Sequence, residues 1–133
     1  MKIKEETVAK IVKEASAKMS DPNYSAVLVG SFVQSQPAAS QYVSAGQKEL
    51  GGAEGVVNTI FHACLLAECF KLANNRTIPE LSFQDLDNGS KANDKDELKI
   101  KQPSLYEYIE QNVEQKEMQK TLRTFALAMD SVS

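Results

Sequence analysis

His62, the only histidine of this 133-residue chain, stands close to its only two cysteines, Cys64 and Cys69, in the stretch NTIFHACLLAECFKLANN, residues 58–75. Imidazole and thiolate are the usual zinc donors, and a thiol within hydrogen-bond reach of an imidazole is a nucleophile with its base. The spacing opposes both chemistries if the stretch is helical. At about 100° and 1.5 Å per residue, His62 and Cys69 share a face to within roughly 20° but stand about 10 Å apart along the axis. Donors that share a metal from one helix come at i,i+3 or i,i+4. Cys64 and Cys69 project about 140° apart, too divergent for a disulfide. No metal, redox centre or cofactor is expected here.

A helix over this stretch is apolar nearly all round, with Val56, Val57, Ile60, Phe61, Leu65, Leu66, Phe70 and Leu72 spread over its circumference, which predicts the buried centre of a domain. Asn58, His62 and Cys69 form its one polar stripe. Buried polar groups need partners, so the stripe either satisfies itself within the core or lines a small pocket or interface. Gln34, Gln41 and Tyr42, on the segment before it, are the candidate residues to complete such a pocket.

Other chemistries lack parts. There is no nucleophile elbow, no phosphate-binding loop ending in Lys-Ser/Thr and no dinucleotide fingerprint. Gly51 to Gly55 (GGAEG) has no following Lys or Arg and reads as a helix–helix turn rather than an anion site. In DLDNGSKANDKDE, counted from Asp85, Gly89 and Lys91 fall where a calcium loop needs ligands. Glu107, Glu110, Glu114 and Glu117 step along one helix, but no histidine follows them as a di-iron bundle requires. The net charge of -3 offers no field for a polyanion, so nucleic acid is not an expected partner.

The elements that must position these residues read as helices. Ile3, Val8, Ile11, Val12, Ala15 and Met19 make one apolar face, with Glu6–Lys10 and Glu14–Lys18 pairs outside it. Asp21-Pro22 starts a second helix, preferred to a strand over Val27 to Val33. Pro37 begins a kinked continuation or a third helix that ends at Gly51-Gly52. The central helix follows, from Ala53 to about Asn74.

Residues 76–102 change character. Their polarity and the Asp87-Asn88-Gly89 turn sequence predict a loop or small hairpin excursion. Ser104 and Glu107 match a capping box, and Leu105, Ile109, Val113, Met118, Leu122, Phe125 and Met129 continue at helical spacing with an extra step near Gln115. No repeat of fixed period is visible.

The expected architecture is all-α, one bundle of about four to six helices spanning residues 1–133. No membrane span is expected, since no window holds about 18 consecutive apolar residues. The reduced cysteines and the absence of an export signal predict a cytoplasmic location, which makes the Asn-x-Ser/Thr triplets at Asn23, Asn75 and Asn88 chance composition. The expected function is a non-catalytic helical protein-interaction module that self-associates or binds a protein partner; the alternative is a small-molecule-binding or enzymatic bundle with a pocket beside helix 53–74.

Overall fold

A computed structural model describes residues 2–133, and all regular structure among them is helical: α1 (Glu5–Lys18), α2 (Pro22–Ser35), α3 (Pro37–Ala45), α4 (Ala53–Asn74), α5 (Phe83–Asp94), α6 (Leu98–Lys101), α7 (Pro103–Asn112) and α8 (Lys116–Val132). Local chemistry sets most of these boundaries. Glu5 and Glu6 in the first turn of α1, and Lys18 in its last, complement the helix dipole. The Asp21 carboxylate accepts the Asn23 N–H at 2.9 Å, and Pro22 occupies the first turn of α2, where its missing N–H is no loss. Gly51 and Gly52 take φ +95° and +88°, which glycine adopts without a Cβ clash. Asn75, left-handed at φ 57°, ends α4.

The region expected to be an excursion is packed structure. The Ser82 hydroxyl accepts the Asp85 N–H at 3.1 Å while the Asp85 carboxylate accepts the Ser82 N–H at 2.9 Å, a reciprocal cap that starts α5. Asp87-Asn88-Gly89 lies inside that helix. Gly89 is there because α5 crosses α8 closely: a Cβ on it would sit 2.6 Å from the Thr124 carbonyl oxygen. Leu86, one turn earlier, is fully buried. α5 and α6 bring the described helices to eight rather than four to six.

A second expectation also shifts. α7 begins at Pro103 rather than from a Ser104/Glu107 box, and it has no side-chain cap. The break near Gln115 is present, between Asn112 at the end of α7 and Lys116 at the start of α8. All seven apolar residues from Leu105 to Met129 in the sequence pattern are buried.

α4 packs against α1, α2, α3 and α8, and Ile60, Ala63, Leu66 and Phe70 are enclosed. Its circumference is not wholly covered, for Val57 and Leu72 are 47% and 42% exposed. By length and composition alone this helix, 22 residues with a window of mean hydropathy 1.4, could cross a membrane, although its apolar residues are not one unbroken run.

The eight helices form two halves that pack in one pattern. α1, α2 and α3 pack on α4 as α5, α6 and α7 pack on α8; α4 lies against α8; and the halves exchange contacts, α1 with α7 and α5 with α3. In each half the second helix passes to the third through a Gln-Pro step with nearly the same backbone, Gln36 at φ -132°, ψ 66° and Gln102 at φ -139°, ψ 71°.

Both glutamines are buried, and each holds the lead segment of the opposite half. The Gln36 Oε1 accepts the Leu81 N–H at 2.8 Å, just ahead of α5, and the Gln102 Oε1 accepts the Ile3 N–H at 2.8 Å, just ahead of α1. The Gln36 amide donates to the Pro79 carbonyl at 3.1 Å, and that of Gln102 to the Asp130 carboxylate at 2.8 Å. This twofold-like exchange is invisible as a sequence period because the counterparts are unequal: α2 has 14 residues and α6 only 4.

Candidate functional site

The helices do not bring the six expected pocket residues together. Asn58, Gln34 and Gln41 are exposed, His62 and Tyr42 are half-buried, and Cys69 is buried. α2 lies along α4 through an edge-on contact between Tyr24 and Phe61, ring centroids 6.4 Å apart, and a 3.5 Å contact of the Cys64 thiol with the Leu28 carbonyl. That packing leaves Gln34 facing outward. Tyr42 is occupied by the Phe125 ring, 5.8 Å away. Asn58 shares the uncovered side of α4 with Val57.

His62 does find a partner in the core. Its Nδ1 lies 2.8 Å from the Tyr108 hydroxyl, and the two rings meet at 5.9 Å and 60°. Burial lowers the imidazole pKa and raises that of the phenol, so both groups are neutral at pH 7 and the bond is uncharged. Burial, with Glu68 adding to it, pushes both thiols up to about 12. A thiol that stays protonated is neither a nucleophile nor a ready metal ligand. Among the described residues no cluster of three His, Cys, Asp or Glu side chains could hold a metal.

Tyr108 is the residue that sequence reasoning missed. It precedes the core residue Ile109 in an amphipathic helix and looks like ordinary packing. The available signal was that a buried phenol needs a partner, and His62 was the only imidazole able to serve. Tyr108 also lines a cleft of ≈ 660 Å³ between α1 and α7, with Val8 and Val12 on one wall and Lys13, Glu107 and Gln111 among its polar residues. That size is within the range of small-molecule sites, about 300–1,000 Å³.

The twofold-like arrangement gives the pair a counterpart. Tyr42 stands six residues after Gln36, as Tyr108 does after Gln102, and Tyr42 meets Phe125 much as Tyr108 meets His62. One half thus closes this position with a fully buried phenyl ring; the other places a half-buried imidazole there, behind the cleft wall.

A second surface stands out by composition. From Pro22 to Gln47 the chain carries no charged residue, and this run forms α2 and α3. Phe32 is the only side chain of α2 that is fully buried, with Tyr24, Leu28 and Val29 half-buried toward the core. The outward side carries Ala26, Gly30, Gln34, Val27 at 66% exposure and Val33 at 44%. On α3, Gln41 is exposed as well. No protein-family model, curated protein or solved structure matches this chain.

Proposed function

We propose that this protein is a non-catalytic helical module that acts by binding other protein chains, and that the outward face of α2 and α3 is its working surface. The observation that carries this reading is the uncharged run from Pro22 to Gln47, exposed along a helix with Val27 and Val33 in solvent. A solvated helix face ordinarily carries charge. Apolar area left in water forgoes about 25 cal/mol per Å², and a contact removes that loss. His62 is engaged with Tyr108 and both thiols are held protonated by burial, so these side chains serve the core, and the reading rests on the α2 surface instead. Two free, buried cysteines suit a reducing, cytoplasmic setting.

The test is photo-crosslinking inside cells with p-benzoylphenylalanine replacing Val27 or Val33, compared with Lys95 on the exposed turn after α5. Adducts at the two valines and none at Lys95 are expected. Equal labelling at all three positions, or none, would refute the reading.

The α1/α7 cleft favours a second reading, a small-molecule site between those two helices. The observation behind it is that Tyr108, bonded to His62, lines a cavity of adequate size. Chemical-shift changes of the lone imidazole on addition of a fragment library would test it; an imidazole signal unmoved by every fragment counts against it.

A further inference from the structure

Three glycines lie inside helices, and two of them have a reason within the chain. A Cβ on Gly55 would overlap the Leu50 carbonyl, and one on Gly89 would meet the Thr124 carbonyl at 2.6 Å and the Ala128 N at 3.2 Å. Backbone approaches so closely at both that only glycine fits. Gly30, in the middle of α2, is different: a Cβ there would meet nothing within 4 Å. Glycine is the poorest helix former after proline, so Gly30 weakens α2 for no benefit to the folded monomer.

Small residues in a helix let another backbone approach, and Ala26 stands one turn before Gly30 on the same outward face. Val27 and Val33 flank that spot and would supply apolar area around a close crossing. The nature of the occupant follows from the polar groups alongside. They are amides and hydroxyls, Asn23, Ser31 and Gln34, all exposed. An amide carries both donors and acceptors, so it can pair with a copy of itself, which a carboxylate or ammonium cannot do. A face without charge can also meet itself with no like-charge repulsion, although each chain is -3 overall. Self-matching of this kind is what a twofold contact between identical chains requires.

We propose that α2 packs against α2 of a second copy of this chain, the two helices crossing at Gly30, to form a twofold homodimer. This rests on the interaction reading above and names both the partner and the point of closest approach.

Sedimentation equilibrium from 1 µM to 1 mM on the wild-type chain, Val27→Glu and Gly30→Leu tests it. The wild type should approach twice the 14.6 kDa chain mass. Val27→Glu should be monomeric. Gly30→Leu should raise the dissociation constant at least tenfold, while its melting temperature, measured where the protein is monomeric, stays level or rises, because leucine favours the helix and has open space. A dimer dissociated by Val27→Glu yet indifferent to Gly30→Leu overturns the Gly30 crossing and leaves the interaction reading standing. A dimer that survives Val27→Glu overturns the inference. So does a wild-type chain that is monomeric throughout; crosslinking at positions 27 and 33 against Lys95 then decides the interaction reading by itself, adducts confined to the two valines supporting it and equal or no labelling refuting it.

Discussion

Gln102 accepts the backbone N–H of Ile3 at 2.8 Å, a contact between residues 99 positions apart that fastens the lead of α1 to the start of α7. Gln36 makes the same contact with Leu81 for the other half. Replacing either glutamine by alanine leaves a buried N–H without its acceptor, at a cost of about 1–3 kcal/mol in each case. The two sites should separate under glutamate substitution. At Gln102 the amide donates to the Asp130 carboxylate, so Gln102→Glu sets two carboxyl groups together, whereas Gln36→Glu faces only the Pro79 carbonyl. Urea unfolding at pH 7 should find Gln102→Glu the less stable of the two; the reverse order would mean that the pairing with Asp130 does not govern that site.

The pH dependence of stability should carry the mark of His62. Burial lowers its pKa in the folded chain, so between that value and the unfolded one, about 6.5, the unfolded state binds more protons. Stability from this group is therefore complete above about pH 6.5 and declines as the pH falls through that range toward the folded value. His62→Phe, which copies the counterpart Phe125, should flatten the change in melting temperature between pH 7.5 and 5.5. As the chain has one histidine, a single imidazole resonance in NMR reports the folded pKa directly; a midpoint at or above 6.5 contradicts the prediction.

Gly89→Ala should be markedly destabilising even though alanine is the better helix former. Its Cβ would stand 2.6 Å from a backbone oxygen of α8, so the two helices must separate, at a cost of about 1–3 kcal/mol or more. Calorimetry should show a lower melting temperature than wild type. An unchanged or raised value would mean that α5 and α8 cross less closely than described.

Cys64 and Cys69 should be silent toward thiol reagents in the native state. Both are buried, with pKa values pushed up to about 12, so the reactive thiolate is scarce at pH 7.5. Ellman's reagent should label neither quickly in buffer and both in denaturing urea. Rapid labelling of one thiol without denaturant would show that its surroundings open in the folded protein.

Much of this fold is legible locally. Asp21-Pro22, the Gly51-Gly52 turn, the span of α4 to Asn74 and the buried series from Leu105 to Met129 all follow from caps, turns and helical spacing, which involve residues a few positions apart. The same local habit misread Asp87-Asn88-Gly89. That triplet suits a turn in isolation, and only the approach of α8 makes Gly89 a crossing point inside a helix.

By itself the sequence determined that the chain is helical and where several of its helices begin. Tertiary structure alone decided which polar groups meet. The stripe of Asn58, His62 and Cys69 dissolved, because exposure depends on which neighbouring helix covers each side of α4. His62 was joined instead to Tyr108, 46 positions away. The twofold-like exchange through Gln36 and Gln102 likewise appeared only in three dimensions. A helix specifies its own turns through bonds of short range, but a buried amide or imidazole takes whatever partner the packing of distant helices brings to it.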